Sequence, residues 1–395
     1  MKQGIAVVVA LMTASSAGLS RQALRPVSPP TITLVRTFVI GTALRGDNDL
    51  FGELSGARKL ASGDIVAADD KADQLKLFDS AGHFVRIIGK DGDGPGDFRS
   101  VARLLPAGGD TIMVYDGIAG RVTGLDRKGT VLLLYKVAQP APVPDPTSKR
   151  QPGSAWREMI GRFGNGHLLS SYRFAWITGP SSPSEIHSDT VAIDLSDQAT
   201  SVRIGAVHGG ETYRYRGGRS TFGGDVPFAP IAYLAVGRSS WFYAGGASGN
   251  IEQRDQRGKL QGTLHLALPS VSVTATDIAN YRQQIIGHAG GPNAAELRSL
   301  YQGAADWLRY PAVMPVLDGL AVDDAGNVWA RRFRNDTLPH DWYVVSPAGT
   351  AVGIATLRSS CRPTQITRAV LLATCTGDDD APTVEMYRIV TPATR

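Results

Sequence analysis

The chain has 395 residues, 43% hydrophobic and 19% charged, with a formal charge of +5. Such a balance belongs to a folded protein and excludes a largely disordered one. Spread over this length, +5 is too small to indicate nucleic-acid binding.

Met1 and Lys2 supply a positive start, residues 5–12 (IAVVVALM) a short apolar core, and Ser15, Ser16 and Ala17 a small-residue cleavage signal. Residues 1–19 therefore read as a secretory signal peptide, the competing reading being an uncleaved anchor. No cysteine follows the apolar run, so a lipoprotein anchor is not expected. No later apolar run reaches about 18 residues, so no membrane span is expected. Residues 20–30 (SRQALRPVSPP) form a flexible lead-in, and 31–395 one domain.

A short pattern then recurs: a turn residue, a polar residue, an apolar strand. It runs through Ser62-Gly63-Asp64-Ile65-Val66, Gly109-Asp110-Thr111-Ile112 and Gly164-Asn165-Gly166-His167-Leu168. It returns at Gly237-Arg238 leading into Trp241-Phe242-Tyr243, at Ala325-Gly326-Asn327-Val328-Trp329 and, weakest, at Thr367-Arg368-Ala369-Val370-Leu371. Several copies are followed by a strand, an Asp/Gly turn and another strand, as in residues 75–88 and 122–134. Four antiparallel strands in 40–50 residues is one propeller blade, and six copies predict an all-β, six-bladed β-propeller. The last copy offers three strands, ending at 384–390. Residues 32–40 (ITLVRTFVI) are the expected fourth, closing the last blade from the N-terminal side.

The glycine-rich run IIGKDGDGPGDFRS at 87–100 fits a corner between blades. As a calcium loop it lacks the twelfth-position glutamate, where Ala102 stands; as a phosphate loop it lacks a following Lys-Ser/Thr pair and helix. Two stretches leave the pattern. Residues 139–154 are proline-rich and predict an exposed loop. Residues 276–308 predict a helical insertion between blades 4 and 5, with Thr276 and Asn293 as caps and Glu296 completing a capping box. Cys361 and Cys375 flank a predicted hairpin turning near 367–369, which brings their sulfurs together as a cross-strand disulfide.

Residues 63–98 resemble an NHL-type repeat of six-bladed propellers, through Gly63-Asp64-Ile65-Val66-Ala67-Ala68-Asp69, Phe78-Asp79-Ser80-Ala81-Gly82 and Gly92-Asp93-Gly94-Pro95-Gly96-Asp97-Phe98. The match is strong over about 51–137 and fades afterwards. The whole chain resembles secreted bacterial six-bladed propellers of unassigned function.

No strong catalytic signature is present. In a propeller, loops after second strands gather at the channel mouth. Asp69 and Asp116 there read as turn caps. Arg173, Arg331, Arg332 and Arg334, with Tyr213, Arg214, Tyr215 and Arg216, are the candidate ligand-binding residues, because guanidinium forks suit anions and tyrosine rings suit sugars or bases. The competing reading pairs these arginines with Glu211, Asp336 or the run at 378–380.

The expected function is recognition, outside the cell or in the periplasm, of an anionic small molecule, glycan, peptide or partner protein by a monomer without cofactor, with no role for nucleic acid. The alternative is a lactonase- or lyase-type enzyme holding calcium or another divalent cation in the channel. Its candidate ligands are Glu53, Glu158 and Asp318, a sparse set for a metal cage.

Overall fold

A computed structural model describes residues 29–42, 46–138, 152–176, 183–377 and 379–391. The expected signal peptide, most of the lead-in, most of the proline-rich loop and Asp378 lie outside the described residues.

Turn chemistry sets the local structure. Asp79, Asp126, Asp255 and Asp323 each open a tight turn, closed three residues later by a glycine of positive φ: Gly82, Gly129, Gly258 and Gly326. Each aspartate's Oδ1 accepts from the amides two and four residues on. Such turns fold the chain into successive antiparallel meanders.

After β1 (Thr31–Ile40), the first sheet holds β2 (Leu54–Lys59), β3 (Ile65–Asp69), β4 (Gln74–Phe78) and β5 (Phe84–Ile88). The second holds β6 (Arg103–Leu105), β7 (Ile112–Asp116), β8 (Arg121–Leu125) and β9 (Val131–Lys136). The third has five strands: β10 (Pro152–Arg162), β11 (Leu168–Trp176), β12 (Glu185–Ser196), β13 (Ser201–Gly217) and β14 (Ser220–Asp225). The fourth holds β15 (Tyr233–Val236), β16 (Ser240–Ala244), β17 (Asn250–Asp255) and β18 (Leu260–His265).

Helices α1 (Ala275–Gly287) and α2 (Ala294–Trp307) come next in the chain. Then come β19 (Leu317–Val322), β20 (Val328–Arg332), β21 (His340–Val345), β22 (Ala351–Leu357), β23 (Cys361–Ile366), β24 (Val370–Thr376) and β25 (Pro382–Val390). These seven strands and β1 form one eight-stranded sheet, in the order β19-β20-β21-β22-β1-β25-β24-β23. Strand β1 runs antiparallel to β25, from Thr33 opposite Val390 to Ile40 opposite Val384, and parallel to β22 at Thr31 and Ile32. The fold is thus mostly β, with curled meanders of propeller type.

The core lies between neighbouring sheets. Strands β3 and β7 are buried at every position, because each second strand is covered on both faces. Asp69 accepts from the amides of Gly52 (3.1 Å) and Glu53 (3.2 Å), and Asp116 from those of Arg99 (2.9 Å) and Ala119 (2.8 Å). Both carboxylates thus tie inter-sheet connections to second strands; Asp116 also caps its own turn through Ala119, whereas Asp69 makes no side-chain cap bond to the turn after it. The glycine-rich run is a corner. A Cβ on Gly89 would meet the Phe98 ring at 2.4 Å, and Phe98 is fully buried. The Arg121 guanidinium donates to the carbonyls of Asp93 (2.8 Å) and Asp97 (2.6 Å), so the run wraps a cation of the protein itself.

The helices fall where the sequence places them, with different caps. Thr274, not Thr276, caps α1 in a capping box with Asp277. Asn293 makes no side-chain cap bond, and Glu296 accepts instead from Ser220 Oγ at 3.0 Å. Helix α2 packs on β13 and β14, whose aromatic side chains need cover.

Cys361 stands opposite Cys375 and is bonded to it. Replacing both by serine should cost about 3 kcal/mol of stability, the loop-entropy value for so short a span, read as a lower denaturant midpoint; an unchanged midpoint would contradict it. Backbone amides, chiefly those of His83, Thr130 and Thr200, hold the carboxyls of Asp79, Asp126 and Asp197 below their ordinary value. A depressed carboxyl stabilises the fold above its unfolded pKa of about 4, and that contribution is lost as pH falls through the folded value. The melting temperature should accordingly drop on acidification below about pH 4, and asparagine at these three positions should flatten that limb.

Candidate functional site

A cavity of about 740 Å³ is lined by residues of β2, β6, β10, β15, β19 and β23, the first strand of each meander. These strands neighbour one another in that order. The Asp324 amide, donating to the Ile366 carbonyl at 3.1 Å, ties the β19–β20 turn to β23 and completes the circuit.

Charge is distributed unevenly around this channel. Three successive strands bring arginines to the cavity: Arg362 on β23, Arg58 on β2 and Arg103 on β6. The next three carry Glu158 on β10, Tyr233 on β15 and Asp318 on β19. Of these three, none lines the cavity itself; toward the hairpin turns Arg162, Arg238, Asp323 and Asp324 line it as well, so charges of both signs meet there.

Arg58 and Arg103 make no side-chain hydrogen bond or ion pair to any described residue. Arg103 is open to water inside the channel yet surrounded by protein. Burial, then the charge of Arg103, pushes Arg58 down to about 10. Burial also lowers Arg103, with Glu158 pulling the other way. Arg362 is lowered by burial and by Arg331, against Asp318 and Tyr233; its Nη1 donates to the carbonyls of Ser359 and Cys361. Two like charges confined between low-dielectric walls raise each other's cost, and an anion relieves it.

Several neutral polar side chains of this wall are engaged, while the half-buried Thr374 makes no side-chain hydrogen bond among the described residues. Ser55 Oγ donates to the Val101 carbonyl and Thr364 Oγ1 to that of Leu372. Gln365 accepts from the Lys59 amide at 2.7 Å and donates to its carbonyl at 3.4 Å. Toward the hairpin-turn end, Arg162 donates to the Pro106 carbonyl, and Asp323 is held by its own turn and by Trp329 Nε1.

The residues singled out from the sequence lie elsewhere; none of the eight lines the cavity. Arg331 is buried and grips Asp318 in bidentate fashion (Nε–Oδ1 2.6 Å, Nη2–Oδ2 2.9 Å), with Trp342 beneath it and His340 Nδ1 3.9 Å from the same carboxylate. Its charge is thereby neutralised. Arg334 pairs with Asp336 (2.8 and 2.6 Å), the pairing that was the competing reading. Arg214 pairs with Glu185, and Arg216 donates to the Gly218 carbonyl. Tyr213 packs edge-on against Phe222, and Tyr215 against Trp307. Both belong to the aromatic cluster under the helices, on the far part of the 17-residue β13 that pairs with β14 and against which α2 packs. Arg173 acts on Asp189, and Arg332 is half-buried.

Glu53, Glu158 and Asp318 do not converge. Among the described residues, the one group of three possible ligand side chains with mutually close atoms is Cys361, Cys375 and Glu385, and its sulfurs are bonded to each other.

No protein-family model matches the chain, and no curated protein is similar to it. Solved structures are. A member of the DUF4221 family from Bacteroides vulgatus is 9% identical, with 91% of this chain and 99% of that one covered and a TM-score of 0.47. A conjectured exported protein from Bacteroides fragilis is 11% identical over 91% and 95%, TM-score 0.42. A streptogramin B lyase is 11% identical over 90% and 97%, TM-score 0.38.

Arg103→Gln should raise the thermal midpoint, since it removes an unpaired charge from a confined site. Arg331→Gln should cost about 3 kcal/mol, since it strands a buried carboxylate. Thermal and denaturant melts of both variants check this contrast, and equal effects of one sign would contradict it.

Proposed function

We propose that this chain is an exported six-bladed propeller whose central channel recognises a small anionic ligand. The six-blade count follows if the eight-stranded sheet is divided at its short parallel β1–β22 contact, leaving β1 as the outermost strand of the last blade. The NHL-like character of the first two blades rests on their sequence. Export is supported by the leader-like residues 1–19 and by the disulfide.

The observation that carries the reading is the arc of Arg362, Arg58 and Arg103 on the channel wall, two of them without any described partner. Guanidinium groups that no carboxylate grips, on the wall of a cavity, are poised for carboxylate, sulfate or phosphate. The fold by itself implies no reaction, and the arginine arc supports recognition of an anion.

Thermal-shift measurements on the mature protein at low ionic strength, with inorganic sulfate, succinate and glucuronate as probes, test this. At least one probe should raise the midpoint. The gain should vanish in Arg58→Gln/Arg103→Gln and persist in Arg334→Gln. No gain from any probe, or a gain unaffected by the channel substitutions, would overturn the reading.

A further inference from the structure

Resting on that reading, we infer that the anion held in the channel is the carboxy-terminal carboxylate of an extended peptide, which enters end-first from the face of the first hairpin turns. Three geometric observations converge on this class.

The first is where the cavity opens. Its lining runs along the first strands to Gly108, Gly164, Arg238, Asp324 and Thr367, in the turns that join first to second strands. No residue of the loops after second strands, at the opposite end, lines it. Arg103 opens β6 and Arg362 stands second in β23, so both lie far from the turns, on either side of β2; Arg58, fifth of six residues in β2, is nearer to them. An anion between Arg103 and Arg362 therefore sits deep, and whatever carries it leads out toward the turns. There the lining charges have both signs. Arg162 is engaged by the Pro106 carbonyl and Asp323 by its own turn. Arg238 and Asp324 are exposed and make no side-chain bond to any described residue. A mouth of mixed charge accepts a dipolar backbone and side chains of either sign, while the deep end takes an anion.

The second is shape. From Arg103 to Gly108, or from Arg362 to Thr367, is a rise of about 16 Å along an extended chain. Over that depth, a volume of about 740 Å³ has a mean cross-section of about 45 Å². Extended chains packed at the usual strand and sheet spacings each occupy about 48 Å². The cavity thus has the bore of one extended peptide and a length of about five residues. Glycine helps to keep it open: a Cβ on Gly56 or Gly108 would meet nothing closer than 4.0 Å.

The third is the wall. Each of β2, β6, β10, β15, β19 and β23 is an end strand of its sheet, so its cavity edge has no strand partner. The unpaired N–H and C=O groups of such edges are what an added extended chain pairs with. Side chains that could read the hydroxyls of a sugar are instead turned to the protein's own backbone, as Ser55, Thr364 and Gln365 show.

Isothermal titration of the mature protein at low ionic strength tests the class with four probes: acetyl-tetra-alanine with a free carboxylate, the same peptide as its carboxy-terminal amide, acetate and succinate. The free acid should bind at least about tenfold tighter than acetate, and amidation should weaken it at least about tenfold, the loss of one charge-assisted pair. Arg103→Gln should weaken both the peptide and succinate. Gly108→Trp, which obstructs the mouth and leaves the arginines in place, should weaken the peptide at least about tenfold and leave succinate within about twofold. Unchanged far-ultraviolet dichroism should show that the variants fold. An amide as tight as the free acid, a peptide no tighter than acetate or indifferent to Gly108→Trp, or binding of succinate without the peptide would overturn the end-first peptide while leaving an anion site. No binding of any probe would overturn the anion reading beneath it.

Discussion

The ring depends on one strand pairing. Strand β1 lies against β25 along nearly its whole length and touches β22 on its other edge. Its side chains anchor both junctions. Ile32 enters the cluster of Trp329, Trp342, Ala355 and Tyr387, and Ile40 that of Phe51, Ala57, Ile65 and Leu372. Without β1, β25 would present an open edge, and the last meander would lose its cover toward the first. Among the described residues nothing else joins the early strands to the late ones so extensively, and a common cavity requires that the first strands stay side by side.

Closure explains how one chain gives arginines two opposite roles. Arg331 is taken out of water and held by Asp318 and Trp342. Burial there raises the Asp318 carboxyl even against Arg331's pull, and lowers the neighbouring imidazole of His340. Such an arginine fixes a wall. Arg58 and Arg103 stand one layer further in, on first strands that line a cavity instead of meeting another sheet, and no carboxylate grips them there.

Much of the architecture was legible because it rests on local chemistry. The Asp-to-Gly turns at 79–82 and 126–129 mark hairpins through backbone angles that few other residues accept. The two cysteines sit in register across one such hairpin, and the apolar run at 32–40 could be matched to 384–390 by the need to close an edge. The helix caps were less legible, since Thr274 and Thr276 both precede Asp277 and only the backbone path selects between them. The lining of the cavity was largely illegible. Arginines were sought after second strands, where Arg331 stands, whereas the channel is lined by first strands. Arg58, Arg103 and Arg362 lie among small and apolar residues in short segments with no motif around them. The one available signal was positional: each belongs to the strand before a repeat turn, next to a buried neighbour such as Ala57, Leu104 or Cys361. The cover over Tyr213 and Tyr215 depends on α2 packing against β13 and β14, which no local pattern encodes.

Because β1 and β25 are partners at opposite ends of the described residues, their pairing is a contact of very long sequence separation. Meanders can assemble one by one during synthesis, each from local hairpins, but the circle has no last member until the final strand has emerged. Until then β1 has at most its short contact with β22, and the long edge that β25 covers stays open.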